Sequence, residues 1–210
     1  VYGYNISRWK DFLLTLALIF VPILLIILQK ETGSALVYLA FFLMLYREGM
    51  SGSVLFAGVS AVAYFVVGVR YADVMLGHIP TSIGEFSVLL MIFLFTVGMV
   101  HVYGDKTMYE RKLLLYGGSV IAVAVCFAEF VIPFDIHWVL IGVCIMTVLY
   151  LCYLALSERV LHYFYIALFA LGSLSFFYSA DYVLNNVMEP HQRVRINVLL
   201  GLEDDPAGAG

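Results

Sequence analysis

Residues 137–157 read HWVLIGVCIMTVLYLCYLALS, a run without a single Asp, Glu, Lys or Arg. A helix that crosses the hydrocarbon of a bilayer needs about twenty mostly apolar residues, because each adds only about 1.5 Å of rise. This run has that length and is read as a membrane span. Working outward, six more candidates emerge, at roughly 11–29, 32–47, 53–70, 86–103, 113–133 and 160–180. The expected fold class is therefore all-α, a polytopic membrane protein with about seven transmembrane helices.

Composition agrees. The chain has 210 residues, 63% of them hydrophobic and 12% charged, with a mean hydropathy of +0.99. Soluble domains are nearer half apolar and a quarter charged. The net charge of −4 comes without any basic tract, which argues against nucleic acid as a partner. The three cysteines, Cys126, Cys144 and Cys152, all fall in apolar spans and are expected to be packing residues rather than a disulfide framework. The opening VYGYNISRWKDF is unlike a signal peptide, and both ends read as cuts, so the chain is expected to be a piece of a longer protein.

Orientation follows from Lys and Arg. With a cytoplasmic N-terminus, Arg8, Lys10, Arg47, Lys106, Arg111, Lys112 and Arg159 lie inside; Lys30, Arg70, Arg193 and Arg195 lie outside. The C-terminal stretch is then extracytoplasmic.

Few residues inside the spans invite chemistry. Glu129 sits about one turn from Pro133 and is expected at an interface marked by Pro133, Asp135 and His137. Asp73, His78 and Glu85 are expected in a solvated outer loop. The five histidines show no metal-ligand spacing, so no metal site is assigned. Gly117, Gly118 and Gly142 are read as close helix contacts. Tyr2, Tyr4, Trp9, Tyr103, Tyr109, Trp138, Tyr178 and Tyr182 lie near span ends, as interfacial belts do. Gln29 to Leu36 forms a tight hairpin in which Gly33 supplies the turn and Glu31 suits the start of the following helix. At the far end, Pro190 breaks a last helical stretch. Arg193 and Arg195 cannot share a helical face, but on an extended segment they align. Two aligned guanidiniums suit a lipid pyrophosphate or, equally, ordinary lipid headgroups.

Two segments together resemble the RodA/FtsW (SEDS) family of peptidoglycan polymerases. The first is Asp11 to Leu36, an apolar helix containing Pro22 and ending in QKETGSAL. The family carries a Gln-Pro-Asp-Leu-Gly-Thr-type hairpin there; Gln29, Gly33, Ala35 and Leu36 match, Glu31 replaces Asp and Ser34 replaces Thr. Lys30 and Thr32 depart from it. The second is His191-Gln192-Arg193-Val194-Arg195-Ile196, then Glu203, Asp205-Pro206 and Gly208-Ala209-Gly210. It resembles the family's Tyr-Gln-Arg-x-Arg-Ile segment, acid, Asp-Pro and Gly-x-Gly run, with His191 for Tyr and Gly201-Leu202 for Asn-Pro. The resemblance is strongest toward the elongation-type members.

The resemblance implies a glycosyltransferase of the bacterial cytoplasmic (inner) membrane that polymerises lipid II into glycan strands during cell elongation and rod-shape maintenance. Residues 181–210 would begin the large extracytoplasmic loop. Residues 71–160 would be inserted helical hairpins, since the family has two crossings where this chain has six. Arg193, Arg195, Gln29 and Glu31 would contact substrate; Gly33 and Pro190 would be structural. The family's catalytic Asp lies further along the same loop, so no catalytic residue is assigned in this chain and the fragment alone is expected to be inactive. A divalent cation (Mg or Mn) could assist in the parent. Expected partners are lipid II, undecaprenyl-linked glycan, membrane lipids, a class B penicillin-binding transpeptidase and other elongation-complex proteins. A non-catalytic scaffold of the cell-wall machinery, and a lipid-linked precursor flippase or other transporter, are the alternatives.

Overall fold

A computed structural model describes residues 51–104 and 107–187, with isolated positions at 13–14, 17–18, 21–22, 47, 194, 196–198 and 201–202. The expected spans at 11–29 and 32–47 lie outside the described residues, apart from those isolated helical positions. The remaining five expected spans are each a long helix: α1 (Gly52–Arg70), α2 (Ile83–Tyr103), α3 (Thr107–Phe130), α4 (His137–Glu158) and α5 (Leu161–Tyr182). All five are long and apolar enough to cross a membrane. Short connections make successive helices antiparallel, so one end of the bundle gathers residues 70–83, 130–137 and 182, and the opposite end gathers 52, 103–107 and 158–161. A π-helical turn, Val183–Val187, continues α5.

α2 is the central helix. It packs on each of the other four, and half of its apolar window is buried, against 11% for α1. Val88, Leu89, Ile92 and Phe93 on α2 are essentially sealed. They meet Leu140 and Leu151 of α4 and Ile166 and Ala170 of α5 in a single apolar core. α3 is peripheral, packing mainly on α2 and α4. Three small in-span hydroxyls are satisfied within their own helices, as a low-dielectric surround favours. Ser60 donates to Phe56 O, Thr96 to Ile92 O and Thr147 to Val143 O, at 2.7, 2.7 and 2.8 Å.

The structure corrects several expectations. The connection after α1 is not a plain loop. It folds into an antiparallel hairpin of β1 (Met75–Leu76) and β2 (Ile79–Ser82), with Leu76 opposite Ile79 across Gly77-His78. Gly77 adopts φ +60°, which primed hairpin turns need at their first central position. Ile79 and Thr81 face inward and are buried. α3 begins at Thr107, six residues before the expected start, because the charged run continues the helix with Tyr109 facing inward. Tyr109 is thus not an interfacial belt residue: it donates to Glu158 and meets the Tyr163 ring edge-on. Of the glycines read as close contacts, only Gly117 is one; a methyl there would meet the Phe93 ring at 2.5 Å, whereas Gly118 and Gly142 have open space. A different glycine, Gly84, makes a close approach to the backbone of another helix, with Gly68 O of α1 2.7 Å from a would-be Cβ. Cys144 is buried, but Cys126 is exposed on the helix surface.

Candidate functional site

A polar cluster that joins several elements lies at the hairpin end. Thr81 is completely buried and serves two partners: its hydroxyl donates to Asp135 Oδ1 at 2.7 Å and accepts from the Ile136 N–H at 2.9 Å. Asp135 Oδ1 also accepts from the His137 N–H at 3.1 Å. The hairpin and the preceding acid thereby satisfy two N–H groups at the start of α4, those of Ile136 and His137, where Ile136 at the N-cap has no side-chain acceptor.

α2 starts on the same platform. Ser82 is its N-cap and accepts from the Glu85 N–H at 3.1 Å, and Glu85 places a carboxylate in the first turn, where the helix dipole favours it. Glu85 was expected in a solvated loop; instead it belongs to α2 and stands 3.7 Å from Nδ1 of His137. Nε2 of His137 lies 3.3 Å from the Tyr178 hydroxyl on α5. Tyr178 is therefore tied into this cluster rather than serving only as an interfacial ring. Glu129, at the end of α3, has a carboxylate oxygen 3.3 Å from where a Cβ on Gly77 would be, so the acid lies against the hairpin turn.

Beside this cluster a cavity of about 470 Å³ opens between α1, α2 and α5. Its walls are aromatic, with Tyr64, Phe177 and Tyr178; Asp73, Glu85 and Asp181 also line it. Asn197 and Leu202 line the same cavity, so described positions flanking the arginine pair and the acidic run return to this end of the bundle. The arrangement is an anionic, half-enclosed cleft with aromatic sides, suited to polar ligands entering from the aqueous phase at that end.

Gln29, Glu31, Gly33, Pro190, Arg193 and Arg195, the site residues expected from sequence, lie outside the described residues. Among the described residues, no three His, Cys, Asp or Glu side chains converge as metal ligands. Thr81, Asp135 and Tyr178 were not singled out by sequence as parts of one cluster. Of the three, only Asp135 falls in a local signal, the short segment Pro133 to His137 between two spans.

No protein-family model, curated protein or solved structure matches the chain.

Proposed function

We infer that the chain is part of a SEDS-type peptidoglycan glycosyltransferase that polymerises lipid II at the outer face of the bacterial cytoplasmic membrane during cell elongation. The observation that carries this reading is the ordered set of polar identities in His191 to Ile196 and Glu203 to Gly210, together with those of the Gln29 to Leu36 segment. A polytopic helical bundle is the setting such a segment needs. The cavity lined by Asn197 and Leu202 lies at the end that the Lys and Arg distribution assigns to the outside.

On this reading the donor's anomeric carbon loses undecaprenyl pyrophosphate as a sugar hydroxyl of the acceptor attacks. A carboxylate further along the terminal loop takes the hydroxyl proton. Arg193 and Arg195 offset charge on the departing pyrophosphate, for which the guanidinium geometry is suited. Gln29 and Glu31 are further substrate contacts on this reading. The transpeptidase partner and lipid II belong to this proposal.

The test is glycan polymerisation from lipid II by the purified full-length parent, with and without Arg193→Ala plus Arg195→Ala. A parent that makes glycan strands, and a folded double variant at least tenfold slower, would support the reading. A parent that makes no strands in the presence of its transpeptidase partner would overturn it and favour the scaffold. Normal polymerisation by the double variant would keep the enzyme and reduce the arginines to headgroup anchors.

A further inference from the structure

The cavity of about 470 Å³ at the hairpin end is bordered by three carboxylates from three different elements. Asp73 lies in the turn after α1, Glu85 in the first turn of α2 and Asp181 in the last turn of α5. Asp73 and Asp181 are exposed and the Glu85 side chain is 44% exposed, so all three meet water. Aromatic rings make much of the wall: Tyr64 of α1, and Phe177 and Tyr178 of α5. No Lys or Arg is among the described residues that line it. Arg70, at the end of α1, sits over the ring of its neighbour Tyr71 instead, 5.7 Å from the centroid.

Tyr64 gives a separate sign of a guest. It borders the cavity and is 1% exposed, and among the described residues its hydroxyl has no hydrogen-bond partner. Buried polar atoms are nearly always paired, so an orphan hydroxyl on a residue of the cavity wall marks a place for a ligand's polar group.

The chemistry of the lining selects the guest. Aromatic faces attract cations, and carboxylates accept strong hydrogen bonds from ammonium N–H groups. The acids surround the cavity but do not converge: among the described residues no three of them form a metal-ligand set. A divalent metal ion concentrates its charge and needs oxygens gathered on one centre. Negative charge distributed around aromatic walls suits a cation whose charge is distributed along an apolar chain. A zwitterionic lipid headgroup would bring its phosphate toward the same carboxylates and is repelled. The volume lies in the usual range for small-molecule sites.

We propose that this cavity binds a linear polyamine from the aqueous phase at the hairpin end. Its methylene segments lie against Tyr64 and Phe177, its ammonium groups meet Asp73, Glu85 and Asp181, and the innermost one donates to the Tyr64 hydroxyl. The site stands whether or not the chain polymerises glycan.

Spermidine is the probe, measured by equilibrium dialysis of the radiolabelled amine against the purified full-length parent in a neutral detergent. The expected result is a single saturable site that Mg²⁺ at matched ionic strength does not empty. Asp73→Asn plus Asp181→Asn, which keeps side-chain shape, should weaken binding about tenfold, the worth of two partly solvated ion pairs. Tyr64→Phe keeps the ring and should weaken it about fivefold, the worth of one hydrogen bond. Glu110→Gln, at the opposite end of the bundle, should leave it unchanged. The thermal midpoint of the unaltered protein is a readout that needs no variant: spermidine should raise it and ionic-strength-matched Mg²⁺ should not. No saturable binding, full displacement by matched Mg²⁺, or an equal loss in Glu110→Gln and in the cavity variants would each overturn the site.

Discussion

Replacing Thr81 with valine keeps the shape of a completely buried side chain and removes one hydroxyl. That hydroxyl donates to Asp135 at 2.7 Å and accepts from the Ile136 N–H at 2.9 Å. The lost bond to a carboxylate is worth about 1.5–3 kcal/mol net, at the lower end here because Asp135 is partly exposed and water can replace the donor. The Ile136 N–H fares worse: Ile136 is fully buried and its N–H is left without that acceptor, at a cost of about 1–3 kcal/mol. Greater apolarity of the added methyl offsets part of this, about 1 kcal/mol. The expected loss is about 2.5 kcal/mol. Thr81→Ser is the control, since it keeps the hydroxyl and gives up one methyl, about 1 kcal/mol. Reversible unfolding of both variants in mixed micelles, titrated with a denaturing detergent, measures the difference. Valine and serine variants within about 0.5 kcal/mol of each other would refute the claim that Thr81 holds the start of α4 by hydrogen bonding.

Three further outcomes are expected. Gly84→Ala should cost about 3 kcal/mol in the same unfolding assay, at the upper end of overpacking, because its methyl would meet backbone atoms of Gly68, Tyr71 and Ala72 at 2.7, 3.0 and 3.1 Å and none can rotate away. Gly117→Ala should cost about 1–2 kcal/mol by pushing the buried Phe93 ring, while its neighbour Gly118→Ala, facing open space, should be neutral or stabilising by up to about 1 kcal/mol from helix propensity; equal effects at the two positions would contradict the packing described. A cysteine at Asp204 should react with an impermeant thiol reagent in whole cells and one at Asp105 should not; the reverse pattern would invert the orientation drawn from Lys and Arg.

The five described spans were legible because hydrophobicity sustained over twenty residues has few other causes. Where a helix ran past its apolar stretch, the same signal failed. Thr107 to Lys112 is charged enough to look like a loop, yet it is helical because Tyr109 turns inward to Glu158 and Tyr163 while Arg111 and Lys112 stay outside. The hairpin was illegible for another reason. Strands of two and four residues are too short to display alternation, and Gly77-His78 is a weak turn signal beside Asn-Gly or Asp-Gly. Its inward residues are fixed by Asp135 and Ile136, 54 and 55 residues away, and no local pattern reports such a partner. The same holds for His137, whose contacts on α2 and α5 are set by how the helices pack. Gly118 looked like Gly117 in sequence; only the position of Phe93 separates them.

The distance in sequence between Thr81 and Asp135 also sets an order of events at the ribosome. At about 5–20 residues per second, the 54 residues between them take roughly 3–11 s to synthesise. During that interval the hairpin and α2 exist without α4, and the Thr81 hydroxyl has only water or its own neighbours. α3 must cross the bilayer before the partner arrives, because Asp135 lies between α3 and α4. The contact is therefore a late closure that records the arrival of the fourth described helix, and a chain lacking it would be expected to insert normally and fail afterwards, as a membrane-embedded substrate for quality-control proteolysis.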